Sequence, residues 1–343
     1  MSTSEARVNS RPDSVVKRWL PMAVSVALAG VLLYLSMRGI DWSQVRRLVS
    51  GATSYGVGLM IALNMAALVL RAIRWRVLLS AEAPVDFRIA FFATSAGYLA
   101  NNVLPARAGE VLRTLMISRR TGIGRTFTLT TAFLERVADA IALVTISGLV
   151  LAFWATGPEW LSRAAVPVAV AGLCGLAAMV FLPRMKSWLT RVLSSLPLRG
   201  RVADRSEYML HQVLHGIGSF HDAGRVTRFV ALTIVIWCID AVLIRVGAQA
   251  IRLEIALPLA FLLVAGLGLA SALPSTPGYV GIFQFVAVGV LTPSGLTRSE
   301  AIAFILFWQA INYLVVSFWG AIALLAEKRE NPMRAADAAG RSV

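Results

Sequence analysis

Holding an anion away from bulk water takes cations and hydrogen-bond donors set into apolar surroundings, and a few positions in this sequence meet that need. The stretch Ala96 to Arg113, AGYLANNVLPARAGEVLR, runs from an apolar segment into Asn101 and Asn102, breaks at Pro105, and restarts with Arg107, Glu110 and Arg113. Proline lacks an amide hydrogen and disfavours helix in the residue before it, so Leu104-Pro105 ends one helix, and Gly109 keeps the joint permissive. Two short helices meeting at a bend are expected. In a bilayer, irregular backbone survives only when buried in protein or facing a wet cavity, so the bend implies a cavity. The restarted half-helix offers unpaired amides near Arg107 to Val111, a positive dipole end. A second break, ALPSTPGYVG, places Ser275, Thr276, Gly278 and Tyr279 at a similar joint, with amides near Gly278 to Ile282 and Gln284 just beyond. Two such ends and Arg107 facing one cavity would suit a phosphate headgroup. The bland alternative leaves Arg107 and Arg113 at an interface, with Glu110 paired to Arg113 one helical turn away.

Glu135, Arg136 and Asp139 lie in the apolar segment Thr126 to Trp154, where each unpaired charge would cost ~2.5 to 3.5 kcal/mol at mid-bilayer. At ~1.5 Å per residue, Glu135 stands about 14 Å from Thr126, near half a bilayer. If Val137 to Trp154 alone spans, these charges sit at the interface and Arg136 pairs with Asp139. The uncharged run Thr126 to Leu134 favours embedding. Asp240 and Arg245 point different ways on one helix, so each needs a partner elsewhere, and Arg136 is one candidate for Asp240. Gln284, Gln309 and Asn312 fit either a cavity lining or ordinary interhelical hydrogen bonds. His211 and His215 share a helix face without an acidic or cysteine ligand, so no metal or other cofactor is expected. There is no nucleotide loop, Ser-His-Asp arrangement or GxSxG.

The elements that must position these residues are membrane helices. The 343 residues are 57% hydrophobic and 15% charged, with mean hydropathy +0.71, too apolar for a soluble chain of this size. The net charge of +15 is spread between apolar segments rather than along one aromatic-studded face, which points to anionic lipid and away from nucleic acid. Cys174 and Cys238 sit in apolar runs and read as small core residues.

The chain divides into a cytoplasmic tail (1–19), a transmembrane region (20–326) and a disordered cytoplasmic tail (327–343). Full crossings are expected at Leu20 to Met37, from Ser54 to about Leu70, Thr126 to Trp154, Ala165 to Leu182, Arg228 to Ala250 and Glu300 to Ala326, with the two broken segments dipping in and returning. Asp41 to Ser50 reads as a helix on the membrane surface, and Arg71, Arg74 and Arg76 around Trp75 read as a cytoplasmic interface. The basic linker 183–227 carries an amphipathic helix near Asp204 to Phe220. With six crossings, 25 basic residues fall on the side of both termini and six on the other, which makes that side cytoplasmic.

The breaks align at an offset of 169: Ala96, Gly97, Leu104, Pro105 and Gly109 fall opposite Ala265, Gly266, Leu273, Pro274 and Gly278. The same offset puts the flanking spans in register, giving repeat halves of about 54–156 and 223–325. Three crossings separate equivalent points, so the halves are expected to have opposite topology, as in many transporters.

The run N-x-x-L-P-A-R-A-G-E-V-L-R ending at Arg113, RWRVLL before it, ER-x-x-D at Glu135, Arg136 and Asp139, and P-x-x-P-G-x-x-G at Pro274 to Gly281 together resemble the lysylphosphatidylglycerol synthase transmembrane-region family. The resemblance covers roughly Leu20 to Ala326. It implies an all-α, polytopic, flippase-like protein of a prokaryotic cytoplasmic membrane, with an anionic lipid or lipid-linked precursor as partner, and a second copy or a separate synthase as protein partner. The family's bifunctional members add an aminoacyl-transferase domain, whereas here a short tail follows the last span. Where many relatives carry a glutamate after P-G-x-x-G, this chain has Phe283-Gln284, without the acid that proton coupling would use. The functions expected are lipid translocation, a membrane-embedded transferase using Glu135 or Asp139 as base, or a structural partner for a lipid-modifying enzyme.

Overall fold

The structure, a computed structural model, describes residues 30–104, 107–153, 222–271 and 277–340, with 167, 170, 172 and 174. The expected span at Ala165 to Leu182, the helix near Asp204 to Phe220, His211, His215, Ser275 and Thr276 lie wholly or largely outside the described residues. The protein is an all-α membrane protein. Four of its described segments are long and apolar enough to cross a bilayer: Ser54–Leu79, Ala223–Ala250, Pro277–Ser294 and Arg298–Arg329.

Short polar residues start the helices where the sequence leaves apolar runs. Asp41 caps α1 (Trp42–Ser50) by accepting from Ser43 and Gln44, and Thr53 caps α2 (Ser54–Leu79). Beyond the apolar run to about Leu70, helix α2 continues through RAIRWRVLL to Leu79. Asp86 caps α3 (Phe87–Val103), which stops at extended Leu104, as Pro105 requires. Helix α4 (Ala108–Thr121) starts after Arg107 in the left-handed conformation and ends at left-handed Gly122. Helix α5 (Arg125–Phe153) follows, and after the basic linker Asp222 caps α6 (Ala223–Ala250). Helix α7 (Leu257–Ala270) leads to the second break, a 3₁₀ turn at Pro277–Tyr279, and α8 (Ile282–Leu291) resumes from Gly281. Helix α9 (Arg298–Gly340) carries on beyond Ala326, so a tail expected to be disordered is helical as far as Gly340. Its alanine, glutamate, lysine and arginine content favours helix.

Helices α2 and α6 pack antiparallel. Gly56 lies against Ala250, Met60 against Gly247, Arg71 against Asp240 and Arg74 against Thr233, so one number falls as the other rises. Around this pair the packing is mutual: α3 meets α9 where α7 meets α5, α3 meets α4 where α7 meets α8, and α4 meets α5 where α8 meets α9. One apolar core gathers α6, α7, α8 and the start of α9, and a second gathers α2, α3, α4 and the later part of α9.

Each break is the apex of a helical hairpin. A Cβ at Gly97 would stand 3.0 Å from the Gly109 carbonyl, and one at Gly109 would collide with the Gly97 carbonyl, so α3 and α4 touch backbone to backbone. Gly266 packs against Val286 and Val290 across the second apex. The apices meet: the Cβ position of Gly278 is 3.4 Å from the Asn102 carbonyl oxygen. Replacing Gly109 by alanine should cost about 1–3 kcal/mol of stability by overpacking. Thermal unfolding in detergent is expected to drop for Gly109→Ala and to hold for Gly58→Ala, where nothing lies within 4 Å of the added carbon.

Candidate functional site

The sequence places charge on four helices, and the fold brings that charge together. Arg74 of α2 donates to Glu135 at 2.9 Å and to Asp139 at 2.5 Å on α5, and to the Thr233 hydroxyl of α6 at 3.1 Å. Arg113 of α4 donates to Glu135 at 2.9 Å, pairs with Glu110 at 2.5 Å, and lies over the Trp75 ring at 4.4 Å. Arg136 reaches Glu110 at 2.8 Å and stands over the ring of Tyr98. Arg71 pairs with Asp240 at 2.5 Å across the α2–α6 interface. Arg74, Arg113 and Glu135 are each 1% exposed, so these charges are buried inside the protein. Four guanidinium groups thus meet four carboxylates. A fifth cation, Arg107 at the apex of the first hairpin, makes no ion pair among the described residues, and its Nε is buried without a hydrogen-bond partner.

Beside this network is a cavity of about 180 Å³. Of the residues anticipated from sequence, Asn101, Asn102, Arg136, Asp139, Asp240 and Tyr279 line it. Arg107, Glu110, Arg113, Glu135, Gly278 and Gln284 do not; they stand at the apices or in the ion network behind the wall. Asn312, the other anticipated lining residue, also borders the cavity, and Asn64, Arg71, Tyr98, Ser271 and Tyr313 add to the polar lining. Asn312 donates to Asn64 at 2.9 Å, joining α9 to α2. The amide nitrogen of Asn102 and the indole nitrogens of Trp237 and Trp308, also lining residues, have no hydrogen-bond partner.

Two expectations change. The half-helix amides are not left open: Gly109 N donates to Asn101 Oδ1 at 2.9 Å and Gly281 N to Gln284 Oε1 at 2.7 Å. Asn101 and Gln284 therefore close their own breaks, satisfying orphan donors as a helix start requires. Gln284 passes its other end to Gln309 at 2.8 Å, while Gln309 and Tyr313 both donate to the Gly278 carbonyl. Second, the partner of Asp240 is Arg71 and not Arg136, because Arg136 is held by Glu110.

Sequence reasoning missed Arg71 and Arg74, reading them as interfacial beside Trp75. A signal was there: Arg71 and Asp240 are separated by 169 residues, the same offset at which the two breaks align. The cysteines also differ from expectation, since both are exposed.

The chain matches the family model described as "Lysylphosphatidylglycerol synthase TM region" over residues 22–320. It belongs to that family. It is also 20% identical, over 229 residues, to a UPF0104 membrane protein of Methanocaldococcus jannaschii, which spans 67% of this chain and 94% of that protein. The motifs on which the resemblance rests also supply most of the ion network: Arg74 from RWRVLL, Glu110 and Arg113 from the run after LPAR, and Glu135, Arg136 and Asp139 from ER-x-x-D.

Removing one member of a buried, hydrogen-bonded ion cluster leaves an uncompensated charge, at a cost of about 3–5 kcal/mol. Arg74→Leu should lose that much in equilibrium unfolding, with Arg74→Lys intermediate, because an ammonium cannot serve both carboxylates in the planar bidentate manner of guanidinium.

Proposed function

We propose that this protein is a lipid flippase, moving an anionic phospholipid or lipid-linked precursor across the cytoplasmic membrane. The observation that carries the reading is the polar cavity where the two hairpin apices meet, beside an ion network to which Arg107 adds a cation without an ion pair among the described residues. Buried charge inside membrane segments is retained at a cost and marks substrate pathways. In this reading Arg136, Arg71 and Asn102 meet the headgroup from the cavity wall. Arg107 adds positive potential from the apex.

The halves 54–156 and 223–325 act as an inverted repeat, with one hairpin re-entrant from each face and transport arising as one half rocks against the other. Antiparallel α2 and α6, and the mutual packing of the remaining helices around them, support this arrangement. So does the pairing of Asp41 with Ser299 at the start of α9, and of Arg120 with Glu327 much later in it, which runs α9 from the α1 side towards the end of α4. With both termini cytoplasmic, α4 ends on the cytoplasmic side. A transferase reading is weaker, because Glu135 and Asp139, its candidate bases, are both engaged by Arg74.

Two measurements test this. Purified protein reconstituted with fluorescent phospholipids should speed their transbilayer movement, anionic headgroups most. Since a hydrogen bond to a charged group contributes about 1.5–3 kcal/mol, Arg136→Ala should slow that movement roughly tenfold or more, and Arg107→Ala, which removes positive potential without removing a wall contact, should slow it less. Equal rates for wild type and both variants across several headgroups would refute the reading. For the topology, in a Cys174→Ala, Cys238→Ala background, Gly124→Cys should react with impermeant maleimide only from the cytoplasmic side and Ser294→Cys only from the opposite side. Labelling of both from one side removes the inverted repeat.

A further inference from the structure

A second cavity, of about 440 Å³, lies between α5 and α6. Its wall is formed by Ala138, Ala142, Ile146, Val230, Ile234 and Phe261 with their neighbours, and Val230 and Ile234 are exposed, so the space opens at the protein surface. The two threonine hydroxyls on this wall are turned away from it: Thr145 donates to the Ile141 carbonyl and Thr233 to the Phe229 carbonyl, both at 2.8 Å. A water molecule here would lack the two to four polar partners that hold buried water. An apolar cavity of about 150 Å³ takes up benzene, so this one has room for a long hydrocarbon segment.

Trp237 lines both cavities. The guanidinium of Arg71 lies 5.9 Å from the centre of its ring, and the indole nitrogen has no hydrogen-bond partner. The residue therefore separates a polar chamber containing Arg71, Asp240 and Arg136 from a dry groove. Only an amphiphile fits both spaces at once.

We infer that the α5–α6 groove holds one acyl chain of a membrane phospholipid whose headgroup occupies the polar cavity, with Trp237 at the headgroup–chain junction. This rests on the lipid reading above and adds to it: one chain is gripped by the protein during transit, not left wholly in the bilayer. Chain length and unsaturation then become part of substrate selection, because the groove is bounded while the bilayer is not.

The test uses full-length protein in vesicles of phosphatidylethanolamine and phosphatidylglycerol, doped with phosphatidylglycerol carrying a diazirine in one acyl chain. After irradiation, labelled peptides are expected to concentrate on residues 138–150 of α5 and 229–238 of α6. That labelling should be lost in Ala142→Trp, which fills the groove, and in Ile234→Trp, which fills it from its exposed edge and does not depend on the first variant folding. Labels spread over outward helix faces such as Leu314 and Phe318, unchanged by either variant that folds, would overturn the inference. Transbilayer movement measured on the same vesicles separates the two ideas. Transport without groove labelling sinks the chain site alone, while groove labelling without transport sinks the flippase reading and keeps the site.

Discussion

Charge neutralisation inside an apolar chain is the constraint on which the arrangement depends. Each guanidinium and carboxylate taken from water costs several kcal/mol, recovered only if a partner of opposite charge arrives with good geometry. Arg74 requires α5, Arg113 requires α4 to lie beside α5, Arg136 requires Glu110, and Arg71 requires α6. A helix slipped by one residue would leave charge unpaired, so the network sets register among four helices. Apolar surfaces alone discriminate poorly here, because lipid tails are as apolar as leucine.

The second half of the chain shows that the frame itself does not need the network. At the repeat offset, Arg74, Arg113, Glu135 and Arg136 correspond to Leu243, Ile282, Phe304 and Ile305, all buried apolar residues. The same set of helix contacts is held by hydrocarbon in one half and by ion pairs in the other. Well-packed apolar residues in place of a buried ion cluster are often neutral or stabilising, so stability does not explain why one half keeps its charges. What distinguishes the charged half is the kind of wall it supports: Arg136 and Asp139 bring charge to the polar space, whereas Ile305 lies in the apolar core and Trp308, packed against that core, brings only an indole ring to the cavity.

Much of this was legible in the sequence because local rules decide it. Pro105 ended α3 where the residue before it had to be extended, and α8 begins and ends at the expected Ile282 and Leu291. What was not legible depended on partners far along the chain. Arg74 beside Trp75 has the same local signature as a snorkelling interfacial arginine, and its acidic partners lie 61 and 65 residues away. Asn101 and Gln284 looked like candidate ligands because sequence counts polar groups and not orphan donors. At the first break the left-handed backbone of Arg107 precedes the Gly109 amide that Asn101 accepts, and at the second Gly281, itself at positive φ, donates its own amide to Gln284.

The way the two breaks are closed also bears on how the apices can move. Each half-helix end is satisfied by a side chain from its own hairpin, Asn101 at one break and Gln284 at the other, so neither apex depends on the opposite hairpin to hold its backbone polar groups. Between the halves, the polar links are few and separate: Arg71 to Asp240 and Asn64 to Asn312 at the cavity, and Arg74 to the Thr233 hydroxyl at the edge of the ion network. Within the first half, by contrast, Glu135, Glu110 and Asp139 are each shared between two arginines. A displacement of one half against the other would therefore exchange a few polar contacts near a chamber able to supply replacements, while the multiply connected network travels as a unit. In an apolar bilayer that division is what makes relative motion feasible. Links broken away from the chamber would strand polar groups in hydrocarbon, whereas links broken at its wall meet other polar side chains.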